Sequence, residues 1–157
     1  RQMCIRDRDY EYIRHGTVSL LAGIDLLTGK VQSIVCESHK SSDFIDFLKL
    51  LDKTYPKGVV INVILDNHSA HRSKETMNYL VTQPNRFKFT FTPKHASWLN
   101  LIESFFGKMA RTCLRGLRVR SKEELVNHIN RWIMQVNAEP VVYRWKWKLE
   151  DIESAFT

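Results

Sequence analysis

One run of seven residues, Val59-Val60-Ile61-Asn62-Val63-Ile64-Leu65, limits the choice of fold more than any other stretch. It is mostly β-branched and apolar, with little alternation, which is the pattern of a strand buried on both faces. The chain then turns abruptly polar at Asp66-Asn67-His68. A carboxylate placed there emerges at the carboxyl end of a buried strand, where open α/β sheets bind their ligands. Asp-Asn is also ordinary turn chemistry, since both side chains hydrogen-bond nearby backbone, so Asp66 alone is ambiguous.

Elements on either side suit a mixed sheet. Thr17 to Asp25 and Val31 to Glu37 read as strands joined by a turn at Thr28-Gly29-Lys30, an antiparallel hairpin. Ser41-Ser42-Asp43 offers N-caps for a helix whose apolar spacing runs through Phe44, Phe47, Leu48 and Leu51. Lys74 to Val81 is a short helix, and Phe87 to Thr92 alternates as a strand. Pro93 to Ser97 reads as a loop, and Asn100 opens a helix that reaches Cys113. Ser121-Lys122-Glu123-Glu124 forms a capping box before a long amphipathic helix. A last short helix is expected from Leu149 to Phe156.

Glu103 is the second acid of interest, with 36 residues between it and Asp66. With Asn100 as N-cap it takes the third helical position, where a carboxylate can reach back to the cap or respond to the helix dipole. The same position projects the carboxylate toward whatever faces the start of the helix, so capping and cation binding compete for it. His68 and His71 lack the partner spacing of a zinc site. Trp98 and Leu99 read as loop anchors, and Trp132, Trp145 and Trp147 as core or lid residues rather than base-stacking platforms.

At 157 residues the chain fits one domain. Its 43% hydrophobic and 26% charged residues are ordinary for a globular protein. No apolar run approaches the roughly 20 residues that span a bilayer. Three scattered cysteines argue against a disulfide framework and for a reducing compartment. Residues 104–148 hold ten Lys/Arg against three acids, which accounts for the whole net charge of +7. A basic end beside acidic residues suits a polyanion, and a merely solvated basic face suits the charge equally well. Lys108, Arg111 and Arg115 recur at helical spacing after Glu103, positions from which they would contact phosphates.

Two blocks carry a family resemblance. Asp66-Asn67-His68-Ser69-Ala70-His71-Arg72-Ser73 and Phe91-Thr92-Pro93-Lys94-His95-Ala96-Ser97-Trp98-Leu99-Asn100-Leu101-Ile102-Glu103 resemble the second and third catalytic blocks of bacterial insertion-sequence transposases in the mariner-like branch of the DDE superfamily. Further similarity lies in Tyr10 to Thr17 and in Trp132 to Asn137 with Pro140 and Trp145. The resemblance implies a ribonuclease-H-like α/β fold, a mixed sheet of antiparallel hairpin and parallel strands flanked by helices. It implies a bacterial, cytoplasmic, nucleoid-associated enzyme that cuts and transfers DNA strands. Its partners would be double-stranded transposon ends and target, and its full-length form a homodimer. It makes Asp66 and Glu103 catalytic ligands of a two-metal Mg²⁺ (or Mn²⁺) site, supported by Asn67, His71 and Asn100, with Lys94, Lys108, Arg111 and Arg115 on DNA.

The opening octet, residues 1–8, fits none of this. It has no apolar period and resembles translated adapter sequence left at the ends of fragmentary reading frames, so residues 9–157 are taken as the catalytic domain. The family's first aspartate belongs to a strand before the hairpin. That strand is expected to be missing, the hairpin edge unpaired, and the chain inactive alone. Asp25, which matches a non-catalytic family position, is the nearest substitute if the chain cuts DNA after all. The alternative function is a non-catalytic DNA-binding or assembly module from a decayed or domesticated transposase, with a structure-selective nuclease third.

Overall fold

The buried run becomes β4, Ile61–Leu65, shorter by two residues than its composition suggests. Val59 and Val60 are exposed and precede the strand. The reason lies in their surroundings: Gly58 turns the chain at φ +86°, and the Val59 carbonyl accepts from the Arg86 guanidinium instead of a ladder partner. A computed structural model describes residues 2–12, 16–92 and 100–142; for residues 2–12 and 16 it describes the main chain and the Met3 side chain.

Five strands form one sheet in the order β3-β2-β1-β4-β5. β1 is Gln2–Tyr12, β2 Gly16–Asp25, β3 Val31–Cys36 and β5 Phe87–Phe91. β1 to β3 are antiparallel, whereas β4 pairs parallel with both β1 and β5. The strand expected to be missing is therefore occupied, and the octet expected to lie outside the fold supplies most of it. β2 is consequently an interior strand rather than an open edge. Main-chain hydrogen bonding is indifferent to side-chain identity, so a segment without apolar period can still complete a ladder whose two neighbours are fixed.

Alternation along the strands gives the sheet two apolar faces. Val18, Leu20, Ala22 and Ile24 of β2 face α3 (Asn100–Met109) and α4 (Lys122–Ala138). Leu21, together with Ile61, Val63 and Leu65 of β4, faces α1 (Ser41–Thr54). On α1 the stripe Phe44, Phe47, Leu48 and Leu51 is fully buried, each side chain contributing on the order of 1.5–3 kcal/mol. α2 (Lys74–Val81) packs beside α1.

Helix starts differ slightly from expectation. Lys40, not Ser41 to Asp43, is the N-cap of α1, because the Asp43 carboxylate reaches back to accept from the Lys40 N–H at 2.9 Å. Asn100 is the first residue of α3 rather than its cap. The helix expected to run unbroken to Cys113 widens into a π-turn at Ala110–Leu114. Ser121 caps α4 as expected, while Glu124 accepts from the Arg120 N–H, one residue before the cap. Residues 93–97 and 149–156 lie outside the described residues.

Candidate functional site at the end of the central strand

Asp66 follows Leu65 directly, and the loop after it is tied down group by group. The Asp66 carboxylate Oδ1 accepts from the His68 N–H at 3.1 Å, closing an Asx turn. His71 is completely buried, and its Nδ1 lies 3.2 Å from the same Oδ1 and 3.1 Å from the Asp66 carbonyl. Both neighbours are acceptors, so Nδ1 carries the hydrogen. Phe44 of α1 holds the imidazole from behind, ring centroids 4.5 Å apart. Further on, Ser73 caps α2 by accepting from the Thr76 N–H, and the buried Thr76 hydroxyl donates to the Ala70 carbonyl at 2.7 Å.

The neighbouring strand end is stapled to this loop. The Thr92 N–H donates to the Leu65 carbonyl at 2.9 Å, extending the β4–β5 ladder, and the Asn67 amide donates to the Thr92 carbonyl at 3.2 Å. Arg72 lies over the Phe91 ring, 4.2 Å from its centroid. Sequence alone does not single out Thr92 or Phe44, since a lone Thr ending a strand and one Phe in an apolar stripe give no distinguishing signal.

Hydrogen bonding from His71 holds the Asp66 carboxyl below its ordinary value of 3.8; the His68 N–H adds to this and burial opposes it. The group is therefore a carboxylate at any physiological pH. Every described contact falls on Oδ1, and Oδ2 has no partner among the described residues.

Glu103 stands exposed in the first turn of α3, beside the fully buried Ile102. Leu101 packs against the small cluster of Leu26 and Ile64, and α3 lies against β1, the neighbour of β4. Asp66 lies just beyond the last residue of β4, and its carboxylate is tied to His71, which packs on Phe44 of α1. The fully buried Asp25 is elsewhere. Its carboxylate accepts from the Tyr55 hydroxyl at 2.9 Å and the Leu27 N–H at 2.9 Å, closing the hairpin turn. In register it is level with Met3 and Val63, about 10 Å back along the strand from Asp66 and two strands across. It is a turn residue and no substitute ligand.

Lys108, Arg111 and Arg115 are all exposed, but they do not form one row. α3 crosses the sheet from Ile64 toward β2 and β3, where Lys108 lines a cleft with Ile24 and Val31. The π-turn takes in one extra residue, which rotates the residues after it by about 100° relative to a plain α-helix. Arg115 thus departs from the face that helical spacing assigns it. Lys94 lies outside the described residues, as does the Asn100 side chain. Among the described residues no three or more His, Cys, Asp or Glu gather into a metal-binding group.

The sheet order, with an ionised carboxylate at the end of its central parallel strand and an acid in the first turn of the helix crossing it, defines a ribonuclease-H-like fold. Solved structures agree on the fold. The catalytic core of bovine immunodeficiency virus integrase matches 99% of this chain and 98% of its own at a TM-score of 0.62 and 9% identity. The HTLV-2 integrase catalytic core in complex with magnesium, dimeric form, matches 88% and 86% at 0.61 and 18%. The simian T-cell lymphotropic virus intasome matches 91% of this chain and 50% of that one at 0.68 and 15%. Sequence carries the assignment further: residues 5–126 match the DDE superfamily endonuclease family, to which this chain belongs. It is also 30% identical over 113 residues to the insertion element IS630 uncharacterized 39 kDa protein of Shigella sonnei, a match covering 72% of this chain and 33% of that protein. The chain therefore spans about a third of the length of that curated relative.

Proposed function

We propose that the chain is the catalytic domain of an insertion-sequence transposase of the mariner-like branch, in which Asp66 and Glu103 hold divalent metal against DNA. The observation that carries this reading is the preorganised Asp66, ionised and fixed through one oxygen by His71 and the His68 N–H, with no partner on Oδ2 among the described residues. Hard carboxylate oxygens suit Mg²⁺ or Mn²⁺. A bound pair of such ions supplies activation of a water or 3′-hydroxyl and stabilisation of the departing oxygen. The protein's own part is to keep Asp66 anionic and immobile, to place Glu103 at the start of a helix anchored by Ile102, and to hold the β4–β5 end rigid through Asn67 and Thr92. The substrates are double-stranded element ends and target DNA, the whole protein acts as a dimer, and its setting is the bacterial cytoplasm and nucleoid.

The chain as it stands is proposed to be inactive alone. One step beyond the last β1–β4 pair, Ile5 with Leu65, β1 carries Arg6 level with Asp66. A cation at that register position is the opposite of what a third ligand requires. The same observation favours the second reading, a DNA-binding or assembly module that does no chemistry.

Mn²⁺ titration followed by water-proton relaxation tests the site. The chain should bind Mn²⁺ weakly, Glu103→Gln should weaken binding further, and Asp66→Asn should abolish it. Undiminished binding by Asp66→Asn would sink the metal assignment. In a longer protein with an acid on the strand beside β4, Asp66-dependent nicking of element ends separates enzyme from assembly module.

A further inference from the structure

Two arginines mark the ends of β5. Arg86, just before Phe87, is buried and donates to the Asp52 carboxylate and to four main-chain carbonyls. Arg72 lies at the other end, against the last residue of the strand, and is exposed. Its guanidinium carbon sits 4.2 Å from the centroid of the Phe91 ring. A ring face holds the cation in place while taking none of its five N–H groups. Among the described residues no carboxylate pairs with it; Glu75, three residues on, stands exposed in the first turn of α2.

Both halves of this contact are tied to Asp66. Arg72 follows His71, which is completely buried with its Nδ1 3.2 Å from the Asp66 carboxylate. Phe91 is in register with Leu65, the residue before Asp66, one strand or about 4.8 Å to the side. It precedes Thr92, whose N–H donates to the Leu65 carbonyl and whose own carbonyl accepts from Asn67. The guanidinium is therefore fixed against the same strand ends as the carboxylate, on the β5 side. Holding a long side chain in advance lowers the entropy lost on binding, and a planar fork of donors matches two phosphate oxygens. A small free anion here would be repelled by the nearby Asp66. A nucleic-acid strand answers both charges, since one phosphate can meet a cation held by Asp66 while its neighbour meets Arg72.

We propose that Arg72, positioned by Phe91, binds a backbone phosphate of the DNA strand lying at Asp66, beside the phosphate under attack; this rests on the reading of Asp66 as a metal ligand.

Binding of the whole chain to a short duplex, followed by fluorescence anisotropy between about 50 and 200 mM salt with Mn²⁺ present, tests this. Arg72→Gln should weaken binding about fivefold and lower the slope of log affinity against log salt by about one. Arg72→Lys keeps the charge and should keep the slope, yet bind more weakly than the parent because an ammonium has no planar fork. Phe91→Leu should likewise keep the slope and lose affinity, and should add nothing to Arg72→Gln in the double variant. Lys53→Gln, at the exposed far end of α1, should leave affinity and slope unchanged. An unchanged slope in Arg72→Gln, an equal loss of slope in Lys53→Gln, or full affinity in Phe91→Leu would overturn the proposal, as would a parent chain that binds no duplex. Mn²⁺ titration of Asp66→Asn separates this from the metal reading. Mn²⁺ binding that depends on Asp66, with the Arg72→Gln slope unchanged, overturns the Arg72 assignment alone. Mn²⁺ binding indifferent to Asp66, with the slope lowered in Arg72→Gln, overturns the metal reading and supports the phosphate contact.

Discussion

Arg86 uses all five guanidinium N–H groups within the protein. Nε donates to the Asp52 carboxylate at 2.7 Å, and the two terminal nitrogens donate to the carbonyls of Asp52, Tyr55, Pro56 and Val59 at 2.6–2.9 Å. It therefore closes the C-terminal end of α1 and the approach to β4, while its own carbonyl accepts from Ile61 N–H to start the ladder. Removing one partner of a buried charge pair costs about 3–5 kcal/mol, because the remaining groups stay buried without a donor. Arg86→Ala should lower urea stability by that order, and Arg86→Lys should recover only part of it, since an ammonium cannot match the planar fork. The Asp52 carboxyl is held low by Lys57 and by Arg86, against the effect of burial. A depressed folded pKa gives stability that is complete above the unfolded value near 3.8 and lost as pH falls through the folded value. The Arg86→Ala deficit should accordingly be full at pH 7 and shrink below pH 4, checked by urea unfolding across that range. Asp66, also depressed, adds to the parent's acid sensitivity in the same direction. A deficit that grew as pH fell would contradict the Asp52–Arg86 coupling.

Among the elements, the β2–β3 hairpin depends on what lies across it. Gly29 has φ +73°, a region that disfavours L side chains, and its α-carbon is backed by the Val141 carbonyl. Gly29→Ala combines backbone strain with a clash against main chain, which cannot give way as a side-chain tip can. It should cost about 2–3 kcal/mol and loosen the end of α4, read as a lowered urea midpoint and faster amide exchange at Val31. Gly116, also at positive φ, meets nothing within 4 Å, so Gly116→Ala separates strain from clash. A Gly29 variant no worse than the Gly116 one would show that the Val141 contact carries no stability.

For the whole molecule, two helical layers on one sheet divide the labour. α1 and α2 support the Asp66 loop from one face, while the stretch from the π-turn through α4, its connection included, carries five of the six exposed arginines among the described residues. Neutralising Lys108, Arg111 and Arg115 together to Gln should weaken duplex binding and flatten its dependence on salt by roughly one unit of slope for each phosphate that is no longer neutralised. Lys108, drawn into the lateral cleft, should account for the smallest share. An unchanged slope in the triple variant would remove these residues from the DNA interface.

Much of this architecture was legible along the chain because its causes are local. The apolar run into Asp66, the strict alternation of Phe87 to Phe91, the stripe on α1 and the Ser121 cap each follow from periodicity or from a side chain bonding its own neighbourhood. The DDE blocks were legible for a related reason: they lie on contiguous stretches joined to a strand end and a helix start. Only the tertiary structure decided the rest, because the deciding partners are remote. That Val59 and Val60 fall outside β4 depends on Arg86, 27 residues beyond Val59. That Asp25 closes a turn depends on Tyr55, and the fixing of Asp66 on a histidine held by Phe44. The pairing of residues 2–12 is the extreme case, since two neighbouring strands, β2 and β4, can recruit a backbone that its own side chains do not specify. Side-chain pattern determined which segments become elements, and long-range hydrogen bonding determined where they end and how Asp66 and Asp25 are held.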